Sequence, residues 1–247
     1  MRSLFRPASY LGVLREALLT SVHVTTYPLG LLPPLPFRHE PAGPTIPRRP
    51  VILLHGWVHN RSAFLLMQRV LRRAGLGPVH TFDYPSVTSD LSQVARHLAP
   101  VVEKVVDHTR ADSCVLVGHS MGGLVARQYV QELGGHDLVD TVITMGTPHR
   151  GTYSAWLGVG RAAEQCRPGS DYLTQLERTS RPGLARWISY YSDLDFMITP
   201  AISAKLLTPE LDATNVRIRD IGHLSLLLSR SVLADLLTRL EEHGTAA

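Results

Sequence analysis

Ser120 stands in Val115-Leu-Val-Gly-His-Ser-Met-Gly-Gly123, an apolar run that ends in Gly-x-Ser-x-Gly and continues into Leu124-Val125-Ala126. A serine at the tip of a strand-to-helix turn is held in a strained backbone conformation, with its hydroxyl pushed out above the sheet edge. Side chains at Gly118 or Gly122 would crowd the neighbouring strand or helix. The next backbone N–H, from Met121, then points to where a carbonyl oxygen would become negative, and the helix N-terminus adds partial positive charge. This chemistry is attack on a carbonyl. The same residues also fit an ordinary glycine-rich turn, so the reading needs partners elsewhere in the chain.

A serine hydroxyl barely ionises at neutral pH; it needs a base, and the base needs a carboxylate to fix its tautomer. The chain has 12 histidines. His223 follows a strand and Gly222, opens the last helix and lies beyond the acidic candidates, which gives the order Ser, acid, His. His149, in Gly146-Thr-Pro-His-Arg-Gly151, is the rival base but precedes the acid. Asp193 and Asp195 compete as the acid within Tyr191-Ser-Asp-Leu-Asp-Phe-Met197. Residues two apart on a strand share a face, so periodicity does not separate them, and Asp193 also suits a turn. A second oxyanion donor is expected from the loop His55-Gly56-Trp57, through the Trp57 backbone N–H, with Gly56 allowing close approach. His55 reads as a hydrogen-bonded support of that loop, and His119 as packing beside the turn.

Alternating strands and helices must position these residues. Strands are expected at 51–54, 79–84, 113–117, 139–145, 186–191 and 215–221, and helices at 62–73 (capped by Ser62), 90–108, 122–133 and 224–240. The short apolar runs suit strands buried on both faces. The pattern predicts a mostly parallel sheet of about six strands with helices on both faces, in which working residues gather at the carboxyl ends of the strands.

At 247 residues, with 44% hydrophobic and 19% charged content, one domain with a full core is expected. The net charge of +4 is spread out, with adjacent basic pairs only at Arg48-Arg49 and Arg72-Arg73, so nucleic acid is not an expected partner. Weak attraction to anionic membranes stays open. Cys114 is expected to be buried and Cys166 to lie in a loop, with no spacing that supports a bridge or a zinc site. Residues 1–49 form a helical, proline-rich extension, and 50–247 the catalytic domain. Leu11, Leu14, Leu18 and Val22 make one helical stripe, which packs on the domain in the favoured reading or lies at a membrane interface in the other. Residues 33–50, with seven prolines, read as an extended linker. A cytoplasmic or membrane-peripheral monomer is favoured, with secretion as the alternative.

Five motifs together resemble the α/β-hydrolase lipases, small bacterial triacylglycerol lipases above all: Val51-Ile-Leu-Leu-His-Gly-Trp57, Val117-Gly-His-Ser-Met-Gly-Gly123, Met145-Gly-Thr-Pro-His-Arg-Gly-Thr152, Tyr191-Ser-Asp-Leu-Asp-Phe-Met-Ile198 and Ile221-Gly-His-Leu-Ser-Leu-Leu227. The fourth-strand turn also resembles lipid-cleaving deacylases of the same fold. The resemblance implies an α/β-hydrolase fold, a triad of Ser120, Asp195 and His223, and oxyanion donors at Trp57 and Met121. It favours Asp195 because the family acid precedes an apolar pair. The chain departs from the smallest lipases by roughly thirty residues after the fourth strand, so 152–182 is the candidate for a lid or cap.

The expected substrate is a lipid or small uncharged ester with an apolar acyl chain. Phe64, Tyr153, Trp156, Leu157, Phe196, Met197 and Leu224 are the candidate pocket residues, with core packing the alternative for each. Tyr153–Leu157 is the candidate lid helix. The chemistry asks for no metal and no organic cofactor. An acyltransferase or thioesterase would use the same residues, and a non-catalytic binding protein on the same fold is the remaining alternative.

Overall fold

A computed structural model describes residues 7–32 and 49–244. One sheet contains β1 (Val51–Leu54), β2 (Val79–Phe82), β3 (Cys114–His119), β4 (Val139–Met145), β5 (Arg186–Ser192) and β6 (Thr214–Ile218). Its order is β2-β1-β3-β4-β5-β6, and every neighbouring pair is parallel. The helices are α1 (Pro7–Leu31), α2 (Leu65–Arg73), α3 (Leu91–Thr109), α4 (Met121–Glu132), α5 (Arg161–Gln165), α6 (Asp171–Arg178) and α7 (Arg230–Gly244).

Strand alternation feeds two cores. Val51, Leu53, Val115 and Val117 join α2 and α7 on one face, while Ile52, Leu54 and Leu116 join α3 and α4 on the other. All four β1 residues are buried, each side chain contributing about 1.5–3 kcal/mol of apolar burial. β1 and the first four residues of β3 are continuous apolar runs, as a sheet covered on both faces requires. The two edge strands are less buried: β2 has half-buried residues at its centre, and β6 has only half-buried and exposed ones. Because every strand runs the same way, the loops that follow β1, β3, β4, β5 and β6 meet at one end of the sheet.

Element ends differ from expectation where side chains cap the backbone. Asp90 caps α3 by accepting from the Ser92 N–H at 2.8 Å. Asn60, rather than Ser62, caps the next segment; it accepts from the Ser62 N–H at 2.9 Å and opens a 3-10 turn, Arg61–Phe64, ahead of α2. The final helix is split into a 3-10 turn, Leu224–Leu227, and α7. Ser229 stands at the break, a residue type that favours helix starts over helix interiors.

Residues 152–182 hold one 3-10 turn (Tyr153–Trp156), α5 and α6. Ala162, Cys166, Tyr172, Leu173 and Leu176 are buried in the core beside α3 and α4. Arg127 of α4 is fully buried and donates to Gln131 Oε1 at 2.6 Å and to the Leu176 carbonyl at 3.2 Å. Most of the segment is thus fastened to the body, and the expected lid helix at Tyr153–Leu157 is a single 3-10 turn. Cys114 and Cys166 are both buried free thiols, pushed up to about 12 by burial.

The N-terminal stripe is corrected. α1 does dock, but Leu11, Leu14, Leu18 and Val22 face outward, exposed by 68%, 67%, 66% and 42%. The docked side carries Gly12, Glu16, Thr20 and His23. Close backbone approach and hydrogen bonding hold this side, and neither registers in an apolar periodicity. Apart from Arg49 and Pro50, the proline-rich segment lies outside the described residues. Among the described residues no helix is long and apolar enough to cross a membrane, and no three His, Cys, Asp or Glu side chains are grouped to hold a metal ion.

Candidate active site

Ser120 has φ 54° and ψ −125° between β3 and α4. A non-glycine residue there stores about 1–3 kcal/mol of strain, which the surrounding structure must impose. Two bonds pin the turn, from Ser120 N to the Met145 carbonyl at 2.8 Å and from Gly123 N to the Ser120 carbonyl at 3.1 Å. Bare backbone is needed on both sides. A Cβ on Gly118 would lie 2.4 Å from Gly123 N, and one on Gly122 would lie 2.3 Å from the Leu54 carbonyl oxygen.

Asp195 and His223, from the loops after β5 and β6, meet at 2.7 Å between Oδ2 and Nδ1. Their side chains are 0% and 6% exposed. Asp195 Oδ1 accepts from the N–H groups of Met197 and Ile198, each at 2.9 Å, so both carboxylate oxygens are engaged. Burial by itself would lower the His223 pKa; the charge and hydrogen bond of Asp195, with a smaller push from Glu16, carry it above the usual histidine value. An Nδ1 facing a carboxylate carries the proton, which leaves the Nε2 lone pair as the base position.

The rivals are engaged elsewhere. Asp193 receives the Arg217 guanidinium, with Nε at 3.0 Å from each carboxylate oxygen. His149 is buried against Thr144, its Nε2 at 3.0 Å from Oγ1, and burial holds its pKa well below the usual histidine value. His55 donates through Nδ1 to the Gly56 carbonyl at 3.0 Å and stacks on Tyr84 with ring centroids 4.2 Å apart, so it braces its loop. His119 is buried beside the turn and donates through Nε2 to the His223 carbonyl at 3.2 Å.

Met121 opens α4, so its N–H is among those a helix leaves without an intrahelical acceptor. Trp57 follows Gly56, whose Cβ position lies 2.9 Å from Ser120 Cβ; the β1 loop therefore runs against the serine. Val58, the next residue, has φ 55°, a costly conformation for a β-branched side chain.

Of the candidate pocket residues, Phe64 is corrected: it is 0% exposed and packs with Ala63, Met67 and Leu71 in the core on the α2 side of the sheet. Tyr153, Trp156, Leu157, Phe196 and Met197 are all exposed, and Leu224 is half-buried. The 152–157 and 195–199 loops are stitched together, with Thr152 Oγ1 donating to the Met197 carbonyl at 2.7 Å and Tyr153 N donating to the Thr199 carbonyl at 2.9 Å. Tyr153 thus sits beside the loop that carries Asp195, Phe196 and Met197.

The sequence reading missed four participants. Gly146, at φ 56°, brings its bare Cα against the acid–imidazole pair; a Cβ there would lie 3.0 Å from both Asp195 Oδ2 and His223 Nδ1. His23 and His59 stack at 5.2 Å, His59 and His119 at 6.1 Å, and His119 lies 4.6 Å from His223, all between ring centroids. Glu16 reaches the backbone just past His223. The one available signal was that Glu16 is the sole acidic residue before Glu40.

The alpha/beta hydrolase family model matches residues 51–240. The chain belongs to that family. This hydrolase is 34% identical over 89 residues to the GPI inositol-deacylase of Candida albicans (strain SC5314 / ATCC MYA-2876), a match covering 36% of this chain and 18% of that protein. The chain therefore spans a small part of that relative's length. Aspergillus fumigatus lipase B superposes with a TM-score of 0.70 at 17% identity, covering 78% of this chain and 52% of the other. The mature Bacillus licheniformis lipase BlEst2 gives 0.65 at 18% identity over 79% and 94%. At such identities the likeness is one of fold.

Proposed function

We propose that this hydrolase cleaves carboxylic esters by acyl transfer through Ser120. The observation that carries the reading is the buried Asp195–His223 pair at 2.7 Å, with His223 against His119, the residue before a serine in strained backbone geometry. His223 Nε2 takes the Ser120 proton as Oγ attacks the ester carbonyl. The backbone N–H groups of Met121 and Trp57 stabilise the tetrahedral oxyanion. Collapse expels the alkoxide, which takes the proton from His223, and leaves an acyl-serine. Water, deprotonated by His223, attacks the acyl-serine and releases the acid with Ser120 restored.

Exposed apolar side chains support a substrate class. Tyr153, Trp156, Leu157, Phe196 and Met197 expose large apolar surfaces beside the Asp195 loop, which suits an apolar acyl chain on a neutral ester. The deacylase relative adds support for acyl-ester chemistry on a lipid. The outward Leu11, Leu14 and Leu18 of α1 suit contact with a lipid surface, and Leu14→Asp with Leu18→Asp is expected to weaken co-sedimentation with phosphatidylcholine vesicles.

Rates on p-nitrophenyl esters of increasing chain length, and on emulsified triglyceride, test the substrate. Preference for long chains, with rates that rise once an emulsion forms, supports lipase action. Activity confined to short soluble esters makes the protein a plain carboxylesterase. An acyltransferase or thioesterase would share the acyl-enzyme, and products formed with competing alcohols separate those activities.

A further inference from the structure

We propose that Glu16 of α1 is a positioning residue for His223, so that α1, outside the region the family model matches, is a working part of the site. The inference rests on the triad reading above.

The Leu224–Leu227 turn begins directly after His223 and has no side-chain cap of its own. Its exposed backbone N–H groups need acceptors. Glu16 supplies them from 208 residues away in sequence: Oε1 accepts from Leu224 N at 2.7 Å, and Oε2 accepts from Ser225 N at 3.0 Å and from the Ser225 hydroxyl. Three donors on one carboxylate fix the direction in which the chain leaves His223. Gly222 makes the approach possible, since a Cβ there would lie 2.3 Å from Glu16 Cδ.

The grip extends along the helix. One turn before Glu16, Gly12 lies against the segment that leads into His223 and against the acid loop; a Cβ on it would lie 2.7 Å from the Asp220 carbonyl oxygen and 2.5 Å from Leu194 Cδ2. Two turns after Glu16, buried His23 ends the imidazole column that runs through His59 and His119 to His223. α1 therefore touches the flanks of both Asp195 and His223. A helix that merely covered the core would bury its leucine stripe, and here Leu11, Leu14 and Leu18 face solvent.

The groups facing His223 are Asp195 from the β5 loop, His119 at the end of β3, His59 from the β1 loop, and Glu16 and His23 from α1. Burial keeps His119, His59 and His23 neutral near pH 7, so the charges acting on His223 are Asp195 and Glu16. Negative charge favours the imidazolium. Loss of the Glu16 charge must therefore move the acid limb of His223-dependent chemistry to lower pH, an effect that a purely structural cap would not have.

The test measures the rate of Ser120 labelling by a soluble fluorophosphonate against pH in the full chain, for wild type, Glu16→Gln and Glu16→Ala, with thermal melting alongside. Glu16→Gln keeps an acceptor oxygen; it should retain most of the plateau rate and shift the acid limb down by about half a pH unit. Glu16→Ala should cut the plateau rate by about tenfold or more at temperatures where it is folded. If both variants lose only melting temperature and keep the wild-type rate and acid limb, Glu16 is a structural cap and the proposal is overturned. If Glu16→Ala does not fold, the Glu16→Gln acid limb decides alone. A wild type unlabelled at Ser120 overturns the triad reading, and this proposal with it.

Discussion

Asp195 Oδ2 lies 2.7 Å from His223 Nδ1, while Asp193, two residues earlier, is held by Arg217. The two carboxylates are near neighbours in sequence, yet one is fully buried on an imidazole and the other is partly exposed on a guanidinium. Exchanging either for its amide separates their roles. Asp195→Asn should lower turnover by about 10³–10⁴-fold, because the amide offers the wrong hydrogen-bond partner to Nδ1. Asp193→Asn should change turnover by no more than about threefold, since it alters a surface pair. Steady-state rates on one soluble ester check both. The reverse ranking would make Asp193 the acid.

In the proposed mechanism the same pair sets the pH profile. His223 must be neutral to act as base, and its pKa is raised above 6.5. Activity in the wild type should therefore rise with pH through a limb above about 6.5. In Asp195→Asn the residual activity should show that limb at lower pH, since the lost carboxylate favoured the imidazolium. Equal limbs in the two proteins would detach the profile from this pair.

Gly146 offers a paired test of geometry. Gly146→Ala places a methyl 3.0 Å from both Asp195 Oδ2 and His223 Nδ1, at a backbone φ of 56°. Gly134→Ala imposes similar strain at φ 76°, with nothing within 4 Å of the new methyl. Each should cost about 1 kcal/mol of stability from the backbone alone. Only Gly146→Ala should also lose activity, on the order of 10²-fold. Urea midpoints and esterase rates read the two effects separately; equal activity in both variants would mean that the pair tolerates displacement.

Acid should destabilise the fold. His23, His55, His59, His80, His119 and His149 all have folded-state pKa values lowered by burial, His59 to about 3 and His80 to about 4. The unfolded chain takes up protons at these sites below about pH 6.5 and the native chain does not, so their contribution is present above that pH and is lost as pH falls. His223 has the opposite sign: its contribution is present below pH 6.5 and is lost as pH rises through its raised folded value. Six groups outweigh one. Between about pH 7.5 and 5 the urea midpoint should drop, and His59→Phe should remove on the order of 2 kcal/mol of that dependence. A flat dependence in the wild type would contradict the buried, neutral state of these rings.

What could be read from the chain, and what could not, follows from the kind of interaction involved. β1 and most of β3 were legible because strands covered on both faces read as apolar runs, and the Ser120 turn because glycine is needed where Gly118 and Gly122 meet neighbouring backbone. The choice between Asp193 and Asp195 was not in the periodicity; it depends on a guanidinium 24 residues away from Asp193. Phe64 was misplaced because an aromatic near a motif looks the same whether it lines a pocket or fills a core. The α1 stripe was misread for a deeper reason. Its docking face is made by Gly12, Glu16 and His23, whose contacts are close approach, hydrogen bonds and ring stacking, and an apolar repeat on the other side outweighed them in the pattern.

The central claim is that Ser120 is an activated nucleophile. The most direct measurement is fluorophosphonate labelling of folded wild type and Ser120→Ala, located by peptide mass, with ester hydrolysis measured on the same samples. The predicted result is a single adduct at Ser120 in the wild type, no adduct in Ser120→Ala, and hydrolysis reduced by about 10⁴-fold or more in the variant. An unmodified Ser120 in folded wild type, or near-wild-type hydrolysis by Ser120→Ala, would contradict it.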